Sequence, residues 1–117
     1  MTESVKHYNV ILGDAMTDSL ELTRELENAP PAILGLKLAE ECGEFSEALS
    51  KELGHLQHKE LKEPLMGEAA DVINVVLATL VMTYPDRTLS DIVAELRDHM
   101  VLKNIKYRDI LENHRGN

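Results

Sequence analysis

The stretch Leu34-Gly-Leu-Lys-Leu-Ala-Glu-Glu-Cys-Gly-Glu-Phe-Ser-Glu-Ala-Leu49 decides the fold class and raises the question of function. Its apolar residues recur at the three- and four-residue intervals of an amphipathic helix, and nothing in it alternates with the period of two that a strand requires. With Leu34 set at zero and about 100° per residue, Leu38, Phe45, Ala48 and Leu49 fall at about 40°, 20°, −40° and 60°. Glu41 falls at about −20°, in the middle of that apolar stripe, and Glu44 at about −80°, on its edge. Glu40 and Glu47, at about −120° and −140°, lie on the side expected to face water.

Working outward, Pro30 and Pro31 precede this helix and Gly54 follows it, which predicts a span from Pro31 to Leu53. A segment before it, from Ser4 to Glu27, carries Val5, Tyr8, Ile11, Leu12, Met16, Leu20, Leu22 and Leu26 at helical spacing. Gly13 and the cluster Thr17 to Ser19 weaken its middle, so one long helix and two shorter pieces are both open. A polar stretch with His55, Gln57 and His58 leads to a third helix, expected from near Leu61, with Pro64 in its first turn, to Tyr84. Pro85 and Asp86 separate it from a fourth, capped by Thr88 or Ser90, which runs through Ile92, Val93, Leu96, Met100, Leu102 and Ile105 to near Leu111. The expected fold is all-α, with four helices.

Length and composition agree with one folded domain over residues 1–117, 44% apolar and 28% charged. With one Phe, three Tyr and no Trp, the core must come from aliphatic side chains. Twelve basic against twenty-one acidic residues give a net charge of −9, and no basic run offsets it, which argues against a nucleic acid polymer as partner. Cys42 is the single cysteine and no apolar leader follows Met1, so a reducing, cytoplasmic setting is expected. The most apolar run, Val72 to Met82, is eleven residues. A membrane span takes about 20, so no membrane association is expected. Val72, Ile73, Val75, Val76, Leu77, Leu80 and Val81 nevertheless put apolar side chains around almost the whole third helix. Such a helix must be covered on all sides, and three neighbours can barely do that, which predicts a homodimer or larger assembly.

The acids then need an account. Glu68 has Val72 and Val75 above it on its own face, and Asp71 has Val75, Ala78 and Met82. An ionised carboxylate buried without a partner costs on the order of several kcal/mol, and several together repel one another. Lys37, one turn before Glu41, is the nearest base in sequence. A divalent metal disposes of all the charges at once: Glu41-x-x-Glu44 facing Glu68-x-x-Asp71 makes a cup of hard oxygen ligands suited to Mg²⁺ or Mn²⁺. The plain alternative is a solvated face, since acid pairs at i and i+3 recur by chance in a chain with 21 acids.

The run Leu36 to Leu49, with its Glu40-Glu41-x-x-Glu44, resembles the E-E-x-x-E signature of the MazG-type all-α nucleoside triphosphate pyrophosphohydrolases. Glu68-Ala-Ala-Asp71 is similar to that family's E-x-x-D, 23 residues lie between Glu44 and Glu68, and Lys103-Asn-Ile-Lys-Tyr107 resembles the family's N-x-K-F/Y ending. The resemblance covers Pro31 to Tyr107. It implies a MazG-like four-helix bundle completed by oligomerisation, as a dimer or a tetramer of two dimers. It further implies Mg²⁺-dependent hydrolysis of nucleoside triphosphates, dNTPs or noncanonical ones, to monophosphate and pyrophosphate, in nucleotide-pool housecleaning. Carried over by position, Glu41, Glu44, Glu68 and Asp71 would hold the metal, and Glu41 or Glu40 would orient or deprotonate the water. Lys37, Lys103, Asn104, Lys106 and Tyr107 would meet the substrate, and His7, Tyr8 and Asn9 are candidates for contacts to the base.

Other readings compete. A di-iron carboxylate bundle normally wants two Glu-x-x-His pairs, and this chain offers only Glu52-x-x-His55. A non-enzymatic helical oligomerisation module explains the amphipathic helices but leaves Glu41 unexplained on its apolar stripe. His55 and His58, three residues apart in a polar stretch, fit an incidental pair better than a transition-metal site.

Overall fold

The computed structural model describes residues 3–25, 30–54 and 63–115, all in helices and the turns that join them. The four helices are α1 (Glu3–Glu25), α2 (Pro31–Glu52), α3 (Leu65–Thr83) and α4 (Leu89–Arg115). They fall into two compact units, Met1–Tyr84 and Pro85–Asn117. Strands are absent among the described residues.

Helix α1 runs without a break through Gly13 and the Thr17 to Ser19 cluster. The hydroxyls that weaken this stretch in sequence are absorbed locally: Thr17 Oγ1 donates to the Gly13 carbonyl at 2.8 Å and Thr23 Oγ1 to the Ser19 carbonyl at 2.8 Å. Leu26 and Glu27, at the expected end of this segment, lie outside the described residues, as do His55, Gln57, His58 and Leu61.

Helix α2 begins directly after Pro30, whose extended backbone (φ −64°, ψ 138°) turns the chain into the first turn. Its carbonyl accepts from the Ile33 amide at 3.0 Å. At the other end Leu53 closes the helix and Gly54 takes a left-handed conformation (φ 84°), the conformation that glycine adopts without penalty. Ala48 is fully buried, Leu34, Leu38 and Phe45 are half-buried, and Leu49, at the edge of the stripe, is exposed.

Helix α3 starts at Leu65, later than the sequence pattern suggests, because Pro64 sits before the helix and not inside its first turn. Its backbone is extended (φ −68°, ψ 163°), and its carbonyl accepts from the Glu68 amide at 3.1 Å. Helix α3 packs on α2 and on α1. Leu77 and Val81 are its deepest apolar side chains and, with Leu20 and Ala48, form the core of the first unit. The Ser19 hydroxyl donates to Asn74 Oδ1 at 2.8 Å, tying α1 to α3 beside a groove of about 250 Å³ lined by Leu22, Thr23, Val75 and Ala78. With 19 residues, α3 is by length and composition apolar enough to cross a membrane, which the eleven-residue run alone does not suggest. It carries Glu68 and Asp71 in its first two turns.

In the second unit the Thr88 hydroxyl accepts from the Asp91 amide at 3.1 Å, so Thr88 and not Ser90 caps α4. Arg87 pairs with Glu95 on the second turn, and the helix continues one turn past Leu111 to Arg115. Ile92 is buried, whereas every side chain from His99 to Arg115 is exposed.

Candidate functional site

The carboxylates gather where the middle of α2 faces the first two turns of α3. Glu41 projects from the apolar stripe of α2 and is 5% exposed; Glu68 projects from the first turn of α3 and is 4% exposed. Both are more deeply buried than Leu34, Leu38 or Phe45 on the α2 stripe. Glu41, Glu44 and Glu68 each offer an oxygen within 4.8 Å of the others. A second group, Glu63, Glu68 and Asp71, meets the same limit and shares Glu68 with the first. Oxygens trans to one another around Mg²⁺ lie about 4.2 Å apart, twice a bond of about 2.1 Å, so small side-chain rotations bring either group onto one ion.

Among the described residues, partners for these charges are few. Lys37 Nζ lies 2.8 Å from Glu41 Oε1 and 3.8 Å from Glu40. The hydrogen bond to Glu41, helped by the charge of Glu40, holds the lysine above its ordinary pKa, firmly protonated. It satisfies only one oxygen of Glu41. Glu41 Oε2 and Glu68 Oε2 are buried and have no hydrogen-bond partner. Burial in the first place, and then the charges of Glu44, Glu63, Asp71 and Glu41, push the Glu68 carboxyl above the usual glutamate value. The Glu63 carboxyl is also raised, chiefly by a hydrogen bond to Asp71, which requires a proton between the two acids, and by the Asp71 charge.

Two orphaned carboxylate oxygens in a buried, all-oxygen setting meet the requirements of a hard divalent cation. Among the described residues no imidazole or thiolate joins either group, and this donor set suits Mg²⁺ or Mn²⁺ better than zinc.

The remaining candidates are placed as follows. Glu40 is exposed on the outer side of α2, touching Lys37 but belonging to neither carboxylate group. Lys103, Asn104, Lys106 and Tyr107 lie exposed on α4 in the second unit. His7, Tyr8 and Asn9 lie on α1, and their side chains are outside the described part of the structure.

Glu63 is the member that sequence reasoning misses. A helix running through Pro64 would turn Glu63 about 140° away from Glu68. The extended Pro64 instead leaves Glu63 outside the helix, where its side chain lies back along the first turn over Gly67. The Glu63-Pro64 pair is the available signal, because a residue before proline is driven out of the helical region.

Comparison with known proteins gives no match: no family model, no curated protein and no solved structure corresponds to this chain. The functional reading therefore rests on the site itself and on the motif resemblance.

Proposed function

We propose that the protein is a Mg²⁺-dependent nucleoside triphosphate pyrophosphohydrolase of MazG type, which hydrolyses dNTPs or noncanonical NTPs to monophosphate and pyrophosphate. The observation that carries this reading is the pair of buried, unpartnered oxygens, Glu41 Oε2 and Glu68 Oε2, on facing helices at the motif positions. A solvated acidic face would leave these oxygens to water, and a purely structural core would not place carboxylates there.

In this reading the chain's residues divide the work. Glu41, Glu44 and Glu68 hold the cation, Asp71 stands beside them in the group that shares Glu68, and Lys37 fixes the orientation of Glu41 through Oε1. When bound, a divalent cation supplies charge neutralisation for the polyphosphate and polarises its phosphoryl oxygens. Water attacks the α-phosphorus, the bond to the bridging oxygen breaks, and pyrophosphate leaves with that oxygen. Glu41 or its exposed neighbour Glu40 takes the proton from the attacking water. Lys37 is the phosphate partner carried by the unit that holds the carboxylates, while Lys103, Asn104, Lys106 and Tyr107 are candidates for substrate contacts on the motif resemblance alone.

The same proposal extends to assembly and setting. Leu22 is 62% exposed on α1 and Ile73 is 48% exposed on α3, which fits a second copy of the chain covering exposed aliphatic side chains in a dimer or a dimer of dimers. A cytoplasmic protein acting on the nucleotide pool accords with the free, exposed Cys42.

The test is incubation with each common NTP and dNTP in the presence of Mg²⁺, followed by chromatography of the products. Monophosphate with pyrophosphate is expected. Release of inorganic phosphate, or no turnover across the panel, overturns the reading.

A further inference from the structure

Helix α4 is 27 residues long, about 40 Å, and its side chains from His99 to Arg115 are all exposed. Its apolar residues are ordered on that surface. Val93, Leu96, Met100, Tyr107 and Ile110, with Lys103 as the single polar member, follow one another at intervals that alternate between three and four residues. That alternation draws one seam along the helix, the heptad pattern through which two helices pack knobs into holes. Leu96 is half-buried and the other four apolar members are exposed. Val101, Leu102 and Ile105 are exposed as well, but they cover little more than one turn on the other side of the helix and continue no seam.

Charge then selects the occupant and its direction. From Pro85 to His99 four acids stand against two arginines, a net of −2, and from Met100 to Arg115 four bases stand against two acids, a net of +2. Glu95, Asp98, Lys103, Lys106 and Arg108 lie inside the helix, beyond the end turns in which the helix dipole acts. A second α4 laid antiparallel sets each acidic half against a basic half, whereas a parallel one sets like against like. We infer that α4 is a self-association surface that pairs antiparallel with α4 of a second copy of the chain. The register that matches the whole seam is centred between Val101 and Leu102. There Val93 faces the partner's Ile110, Leu96 faces the partner's Tyr107 and Met100 faces the partner's Lys103. The lysine stem packs in the seam while its ammonium reaches the edge, and one charged member of this kind fixes a register at some cost in stability. The inference rests on the self-association proposed above and adds a surface and an orientation to it. Such a pair is two-fold symmetric, as a closed dimer requires.

Cross-linking of the full chain tests the orientation directly. In a Cys42→Ser background, which removes the native thiol, Val93→Cys and Ile110→Cys are made singly and together and mildly oxidised. A disulfide needs α-carbons within about 7 Å, and these two positions lie about 25 Å apart along one helix, so no bond can form within a chain. The double variant is expected to run at twice the mass of one chain without a ladder of larger species. Each single variant should stay uncross-linked alone and give the doubled mass when the two are mixed. Leu96→Cys with Tyr107→Cys reads the same register a second time, and circular dichroism shows that each variant keeps its helices. Single variants that cross-link to themselves, as a parallel pair would, overturn the antiparallel pairing. An oligomer by light scattering in which neither pair cross-links overturns α4 as the surface and leaves self-association standing. A single chain by light scattering overturns both.

Discussion

Lys37 and Glu41 stand one helical turn apart on α2, with Nζ 2.8 Å from Oε1, and the other oxygen of the same carboxylate is buried without a partner. The lysine is half-exposed and the glutamate is not, so a surface cation holds one side of a buried anion while the other side faces further carboxylates. Lys37 thus stabilises the cation-free protein, and a bound divalent ion would take over most of that role. Lys37→Met is expected to lower the melting temperature clearly in chelator and only slightly in saturating Mg²⁺. An equal loss under both conditions would show that the pair has nothing to do with a cation.

Removing the repelling charges gives the opposite sign. In Glu41→Gln and Glu68→Gln the buried anion is replaced by a neutral group of similar shape, and unfolding in chelator should shift to higher temperature. The Mg²⁺-induced rise in melting temperature should shrink or vanish. Turnover should fall by on the order of 100-fold or more, since charge stabilisation by a metal is worth several kcal/mol of barrier. Wild-type turnover in both variants would place the chemistry elsewhere.

The pH dependence follows from the raised Glu68 and Glu63 carboxyls. Each binds its proton more tightly in the folded chain than at the ordinary glutamate value of 4.5, so folding gains stability that is fully present below that value and is lost as pH rises through the raised one. The cation-free protein is therefore expected to melt higher in mild acid than at neutral pH. Mg²⁺ should have little effect in acid and a growing effect above it, because protons and cations compete for the same oxygens. Thermal scans across this range, with chelator and with Mg²⁺, check both halves. A chelated protein that gains stability towards neutral pH would contradict the first.

Much of this site is legible in the sequence because a helix converts spacing into direction. Glu41 falls inside the apolar stripe on a wheel and is buried, whereas Glu40 and Glu47 fall outside it and are exposed. The all-α class follows from the same periodicity and from prolines and a left-handed glycine at the helix ends. Glu63 is illegible for the converse reason. It lies beyond a helix end, where one backbone rotation at Pro64 decides whether its side chain points away from Asp71 or reaches it. The pattern leaves one long α1 and two pieces both open, and the Thr17 and Thr23 hydroxyls decide for one because they bond back to their own helix and do not break it.

Self-association, as proposed, is the remaining expectation to test, and it rests on aliphatic side chains that the first unit leaves exposed. Its apolar core among the described residues is Leu20, Ala48, Leu77 and Val81, while Leu22 and Ile73 stay exposed on the two helices joined by the Ser19–Asn74 hydrogen bond. In the proposed assembly these exposed aliphatic side chains are the surface that a second copy would cover. Light scattering at micromolar concentration is expected to give twice or four times the mass of one chain. Ile73→Glu should shift the equilibrium towards single chains, because an unpaired charge buried in an interface costs roughly 3–5 kcal/mol, or on the order of 10²- to 10³-fold in Kd. The α2–α3 carboxylate site is built within one chain, so Mn²⁺ binding by this variant should persist wherever its helices remain folded. A wild-type monomer at micromolar concentration would refute the assembly while leaving the cation site to be judged on its own measurements.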